Sequence, residues 1–221
     1  MTTAIMQPYF LPYIGYFQLI NSVDKFVLYD DIKYTKKGWI NRNRISNGEL
    51  VTIPLKKASD YSDIVERKLS DDWEIQKKKL RNKVQSCYSK SMNYEIGMKI
   101  FNSILEYENT NLFEFIYNSL KEINSYLDIE TEIIISSDLK RNRELSSQDS
   151  VIEVCKKLDT NLYINSIGGK SLYKKAKFKL EGINLKFLIN TCINNFSILD
   201  IIMNISKDDI KRKMLKDYEL E

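Results

Sequence analysis

The sequence predicts an α/β fold, a mostly parallel Rossmann-like sheet with an inserted β-hairpin and a three-helix middle segment. Three observations carry this. Short apolar runs alternate with helix-length amphipathic segments at both ends of the chain, the pattern of strands joined by crossover helices. All three prolines, Pro8, Pro12 and Pro54, lie in the first quarter, where short strands meet demanding turns. The stretch from 70 to 128 holds no proline and one glycine, Gly97, and its apolar residues recur at helical spacing.

In chain order, residues 3–7 form an apolar strand. Pro8-Tyr9-Phe10-Leu11-Pro12 is a loop, because two prolines cannot extend a ladder. Ile14, Phe17, Leu19 and Ile20 mark a short helix over 13–21, and residues 25–29 a second strand. This β-loop-α-β start makes the two strands parallel and buried. Residues 39–45 and 50–54 flank Asn47-Gly48, a strong hairpin signal. In the middle segment Trp73, Leu80, Val84 and Cys87 share one helical face. Ile100, Phe101, Ile104 and Leu105 share a second, and Leu112, Phe115, Ile116, Leu120, Ile123 and Leu127 a third. The alternation then resumes with strand 131–136, helix 148–158, strand 161–165, a Gly168-Gly169 turn, helix 170–180 and strand 184–189. Residues 198–221 read as one more amphipathic helix. The expected organisation is a single α/β domain over 1–221, with an N-terminal part (2–57), a helical insert (70–128) and a C-terminal half (131–221).

The chain has 221 residues, 43% of them hydrophobic, enough for a sizeable core. Its 34 basic and 30 acidic side chains leave a formal charge of +4, too nearly balanced for a protein that wraps nucleic acid. There is no histidine. That zero excludes the Ser-His-Asp and Cys-His constellations and H-E-x-x-H zinc chemistry, and leaves proton transfer to carboxylates, tyrosines and lysines. Cys87, Cys155 and Cys192 are scattered and suggest neither a disulfide framework nor a metal site. They read as buried small apolar residues in a reducing compartment. No basic leader and no run of about 18 apolar residues is present, so the expectation is a cytoplasmic protein without a membrane span.

Ligands of open α/β sheets gather at the carboxyl ends of strands, and three loops there stand out. Gln7 to Phe17 carries five aromatics, rigid prolines including Pro12, and Gly15, which permits close backbone approach; Tyr13 and Tyr16 offer hydroxyls. Tyr29 to Trp39 carries the adjacent carboxylates Asp30 and Asp31, one to orient an amine or take its proton and the other to cap a turn. Lys33, Lys36, Lys37, Arg42 and Arg44 follow with no acid among them. On the hairpin, Asn41 and Asn43 face one side of the sheet and Arg42 and Arg44 the other. Two arginines on one face suit a diphosphate, each charge-assisted bond contributing about 1.5–3 kcal/mol. The plainer alternative is an edge strand protected by its charges. The third loop, Tyr163 to Tyr173, follows a strand with Gly168-Gly169 at a helix start, an anion pocket or simply a helix cap. It is not a Walker loop, because position 164 is isoleucine.

The run Met6-Gln7-Pro8-Tyr9-Phe10-Leu11-Pro12-Tyr13-Ile14-Gly15-Tyr16-Phe17-Gln18-Leu19-Ile20, then Val23 to Asp31, Lys37 to Ile45, and Tyr163 to Tyr173 with Phe178 and Gly182-Ile183, closely resembles the WbqC-like protein family. The resemblance implies a place in bacterial surface-polysaccharide (O-antigen) synthesis and a role as a glycine transferase acting on an amino sugar. Phe10 to Tyr16 is also similar in position to the P-x-H-x-G-H loop of the nucleotidylyltransferase-like superfamily, with Tyr13 and Tyr16 in place of both histidines.

The expected activity is therefore transfer of glycine or a similar small acyl group to the amine of a nucleotide-linked amino sugar. In that reading Asp30 or Asp31 handles the amine, while Gln7, Tyr13 and Tyr16 hydrogen-bond the reacting carbonyl. Lys36, Arg42 and Arg44 hold phosphates, and Gly168 and Gly169 a second anion. Pro12, Gly15, Trp39, Asn41, Asn165 and Tyr173 complete the substrate surface. An adenylate formed with ATP, a carrier-bound thioester or an aminoacyl-tRNA would each serve as the acyl donor. The alternatives are a nucleotidyltransferase-like adenylating enzyme and a nucleotide-sugar-binding scaffold without catalysis.

Overall fold

The computed structural model describes residues 1–145, 147–191 and 195–221. Its centre is a six-stranded sheet built from β1 (Thr2–Met6), β2 (Lys25–Leu28), β5 (Glu132–Ile135), β6 (Leu162–Ser166), β7 (Asn184–Asn190) and β8 (Tyr218–Leu220), in the order β5-β2-β1-β6-β7-β8. The first five strands are parallel and β8 runs antiparallel to β7. A separate two-stranded ribbon, β3 (Arg42–Arg44) with β4 (Leu50–Thr52), is the expected hairpin. Its connection is wider than a two-residue Asn-Gly turn. Ser46–Gly48 form one 3-10 turn, Ile45 N–H donates to the Glu49 carbonyl at 2.7 Å, and Gly48 sits at φ +75°, a region glycine enters freely.

Period-two alternation explains why the strands have two buried faces. Ala4, Phe26, Ile164 and Leu188 point into a large core, and their neighbours Ile5, Val27, Tyr163 and Phe187 into a smaller one. The large core is closed by α1 (Ile14–Asn21) and by the three middle helices, α2 (Trp73–Tyr88), α3 (Tyr94–Leu105) and α4 (Leu112–Leu127). The smaller core is closed by α5 (Ser147–Lys157) and α6 (Lys175–Leu180). Close packing of α3 on α7 (Ile198–Asn204) depends on Gly97, where a Cβ would press into Met203. Cys155 is buried and Cys87 half-buried, while Cys192 lies outside the described residues.

Two sequence expectations change. The helix over 170–180 is two pieces: a 3-10 segment Ile167–Leu172 that contains Gly168 and Gly169, then α6. The break lies at Tyr173-Lys174. Lys174 N–H is taken by Gln148 Oε1 at 2.9 Å, and the Tyr173 ring packs edge-on against Tyr163 and Phe178. The tail is likewise not one helix. After α7 the chain restarts at α8 (Lys207–Asp209), where Ser206 Oγ accepts from Asp209 N–H, passes through a π turn, Ile210–Met214, and ends as edge strand β8. Ile210 and Leu215 stay buried, so the apolar spacing was real, but the last residues exchange helix bonds for a sheet edge.

Candidate functional site

The strand order reverses between β1 and β6: the chain builds outward through β2 to β5, then returns to lay β6 and β7 on the other side of β1. In open α/β sheets the loops leaving the two central strands diverge at such a point and leave a crevice. Here that crevice is a cleft of about 750 Å³. Gln7, Tyr9, Tyr13, Gly15 and Tyr16 line it from the β1 side, and Asn165, Ser166, Gly168, Gly169 and Tyr173 from the β6 side. Tyr29, Asp31, Lys33 and Asp63 line it beyond β2, with Arg141, Arg143, Ser147 and Ser150 from the loop beyond β5 and the start of α5.

The β1 loop is pinned. Leu11 has a left-handed backbone, φ 45°, a strained state for a branched residue. Its carbonyl accepts from Asn43 Nδ2 at 2.7 Å and from Ser197 Oγ at 2.8 Å, which ties the loop to the hairpin and to α7. Tyr16 is buried and donates its hydroxyl to the Gln7 carbonyl at 2.9 Å, while Tyr9 donates to Gln7 Oε1 at 3.2 Å. Tyr13 lies folded over Gly15, where a Cβ would come within 2.8 Å of Tyr13 Cζ. The close approach that Gly15 allows is thus that of its own neighbour's ring. Burial raises the pKa of Tyr9, Tyr13 and Tyr16, so all three stay neutral phenols at ordinary pH and act as hydrogen-bonding groups rather than bases.

The two aspartates have separate fates. Asp30 is 0% exposed; Oδ1 accepts from Ser136 Oγ at 2.9 Å and Ser137 N–H at 3.0 Å, and Oδ2 from Ser137 Oγ at 2.8 Å. It caps the turn after β5 and lines no part of the cleft, which removes it as a proton acceptor for substrate. Asp31 is 6% exposed, lines the cleft and is held by Ser136 Oγ and Arg141. Arg141 Nε lies 2.9 Å from Asp31 Oδ2 but off the N–H axis, an ion pair without an aligned hydrogen bond. The same guanidinium donates to the Asp31 carbonyl at 2.8 Å and to Ser150 Oγ at 3.2 Å, and stacks 4.6 Å from the Tyr29 ring centre. Arg143, more than half exposed, pairs with Asp63 and donates to the Asp31 carbonyl at 3.1 Å. Three cations, Lys33, Arg141 and Arg143, therefore face two acids, Asp31 and Asp63, on this wall.

On the far wall Asn165 Oδ1 accepts from Ser166 N–H at 2.8 Å, and its amide rests on Gly169, where a Cβ would come within 2.6 Å of Nδ2. Lys170 is turned away and paired with Glu221. Beneath, Tyr163 is fully buried with Tyr173 and Tyr29 as polar neighbours, and burial raises its pKa well above the ordinary range.

Of the residues singled out in the sequence, Gln7, Tyr13, Gly15, Tyr16, Asp31, Asn165, Gly168, Gly169 and Tyr173 meet in this cleft. Pro12 is buried beneath it, its carbonyl accepting from Ile198 N–H at 2.8 Å. The hairpin residues do not reach it. Lys36 is paired with Asp60 on the surface. Arg42 bends back onto the Lys37 and Gly38 carbonyls. Asn41 is buried between Tyr34 OH (2.9 Å) and the Ile53 carbonyl (2.7 Å). Trp39 and Arg44 line a second, smaller pocket with Tyr9 and Tyr13. The residues missed in the sequence are Arg141, Arg143, Asp63, Ser147 and Ser150. The loop after the third parallel strand was the signal for most of them, since it too leaves the carboxyl end of a strand.

The model of the WbqC-like protein family matches residues 7–212. The chain is also 27% identical over 222 residues to the uncharacterized protein Rv1507c of Mycobacterium tuberculosis, covering 93% of this chain and 94% of that one. No solved structure matches it significantly.

Proposed function

This chain belongs to the WbqC-like protein family, and from that membership and the cleft between β1 and β6 we propose a transferase of bacterial surface-polysaccharide synthesis. It adds glycine or a similar small acyl group to the amine of a nucleotide-linked amino sugar in the cytoplasm. The observation that carries the reading is a crevice at the strand-order reversal with cations on one wall and Gly168-Gly169 on the other. The exposed Arg143 and Lys33 grip the diphosphate, a role the sequence had assigned to Lys36, Arg42 and Arg44. Gly168 and Gly169, on the opposite wall, face a second anionic group.

In the step itself the sugar amine attacks the donor's carbonyl carbon. A C–N bond forms, the bond from that carbon to the donor's leaving oxygen or sulfur breaks, and the amine gives up one proton. Asp31, fixed by Arg141, orients the amine and receives that proton. Tyr13 and the Gln7 amide, both on the cleft wall, hydrogen-bond the developing oxyanion. Tyr16, whose hydroxyl is spent on the Gln7 carbonyl, positions Gln7 rather than touching substrate.

The parallel strand order, with the first strand central, is also that of mononucleotide-binding folds, which supports a second reading as an adenylating enzyme. The neutral Tyr13 and buried Tyr16 supply none of the positive charge that the two histidines would bring. Purified protein given nucleotide-linked amino sugars, ATP and glycine, or preformed donors, tests both. A sugar heavier by one glycyl unit supports acyl transfer. Exchange of pyrophosphate into ATP without any acylated sugar supports adenylation and contradicts the transferase.

A further inference from the structure

The second pocket, of about 330 Å³, is lined by Tyr9, Tyr13, Trp39, Asn43, Arg44 and Asn195. It is a built feature. Phe10 N–H donates to the Ile40 carbonyl at 2.9 Å and Asn43 Nδ2 to the Leu11 carbonyl at 2.7 Å, so the hairpin is buttoned to the β1 loop and Trp39 stands opposite the tyrosines. Trp39 is 42% exposed, whereas the other tryptophan, Trp73, is 6% exposed in the core. The Arg44 guanidinium lies 5.4 Å from the Trp39 ring centre, and no carboxylate pairs with it among the described residues. Arg42 approaches the same ring, 5.8 Å from its centre, so the indole stands partly exposed against two guanidiniums.

Tyr9 and Tyr13 line both this pocket and the main cleft. The two cavities therefore share a wall, the arrangement a two-substrate transfer requires. Three aromatic rings with one free guanidinium suit a flat heterocycle joined to an anion. The rings stack on its face and the guanidinium holds a phosphate in fork geometry. The volume lies at the lower end of ligand pockets, roughly 300–1,000 Å³, and so fits a nucleoside monophosphate rather than a whole nucleotide-sugar.

We propose that the Trp39–Arg44 pocket is the donor subsite and that it binds the phosphorylated adenosine of the acyl donor. The assignment of a donor rests on the transferase reading above. The recognised chemistry is common to an acyl-adenylate, a coenzyme A thioester and the 3′ end of an aminoacyl-tRNA, each of which carries adenosine next to a phosphate.

AMP is the direct probe. Its adenine quenches Trp39 emission on stacking, and Trp73 is too buried to respond. Saturable quenching by AMP is expected in the wild-type chain, with affinity measured by calorimetry lowered about tenfold or more in Trp39→Ala and Arg44→Gln, since one base–aromatic stack alone changes affinity roughly 5- to 150-fold. Trp39→Phe should retain binding in calorimetry, and unchanged circular dichroism separates lost contacts from lost folding. Titrations with coenzyme A and a short RNA ending in adenosine identify the source, the true one binding more tightly than AMP. Absent AMP binding, or AMP affinity unchanged in Trp39→Ala, overturns the proposal. Nucleotide-sugar affinity, lost in Arg143→Gln and kept in Trp39→Ala, reports separately on the main cleft, so either reading can fail without the other.

Discussion

Replacing Arg141 with methionine removes the guanidinium paired with Asp31, at a site where the two side chains are 5% and 8% exposed. Burial that deep leaves little water to screen the pair, and deleting one partner strands a charge inside the protein. The expected loss is about 3–5 kcal/mol, because the uncompensated carboxylate rather than the pair's own attraction sets the cost. Arg141 also gives up bonds to the Asp31 carbonyl and to Ser150 Oγ and its stack on Tyr29. For a chain of this size 1 kcal/mol corresponds to roughly 2–4 °C, so the melting temperature should fall by about 6–20 °C. Chemical denaturation read by circular dichroism and tryptophan emission gives the free energy. A double variant, Asp31→Asn with Arg141→Met, leaves no unpaired charge and should be more stable than the sum of the single losses implies, by at least about 1 kcal/mol. An Arg141→Met loss below about 1 kcal/mol, or strict additivity in the double variant, would refute the buried pair as the support of the cleft wall.

Gly15→Ala should push the Tyr13 ring out of the cleft, lowering nucleotide-sugar affinity about 3- to 10-fold by calorimetry, the worth of one hydrogen bond, with the melting temperature nearly unchanged. A variant that melts far lower with affinity intact would contradict this. Ser197→Ala removes the cap of α7 and one of two donors to the strained Leu11 carbonyl, an expected loss of about 1–2 kcal/mol measured by urea denaturation. Alkaline pH should destabilise the fold. Burial pushes the Cys155 thiol from 9.0 up to about 12 and raises Tyr9, Tyr13, Tyr16 and Tyr163 above 10.0. Between those values the unfolded chain has released protons the native one still holds, so stability is full below about pH 9 and falls as pH rises toward 12. Constant stability across that window would count against the burial of these groups.

The sheet was readable because its information is local: five short apolar runs, each bounded by turn residues, appear as parallel strands within a residue or two of their expected ends. The hairpin was equally plain, with Asn41 and Asn43 inward and Arg42 and Arg44 outward. What could not be read is decided at a distance. Lys140-Arg141-Asn142-Arg143 looks like a solvated charge run, but the carboxylate and carbonyl of Asp31, far upstream, hold Arg141 inside with Ser150 and Tyr29. The same holds for Asp30 and Asp31. Adjacency said that the two carboxylates diverge, but Ser136 and Ser137 determine that Asp30 caps a turn and Asp31 faces the cleft. The tail misled for a related reason, since its helical spacing persists through Ile210 and Leu215 while the open edge of β7 claims Tyr218–Leu220. That Lys36 and Arg42 turn away from the cleft was not legible, because the sequence shows their charge and not the acid and carbonyls that engage them.

A crystal structure of the protein soaked with a uridine-diphosphate amino sugar bears most directly on the central claim. The diphosphate should lie against Lys33 and Arg143, with the rest of the ligand running between Tyr13 and Gly168-Gly169. Ligand density along Lys36 and Arg42, with the cleft between β1 and β6 empty, would contradict it.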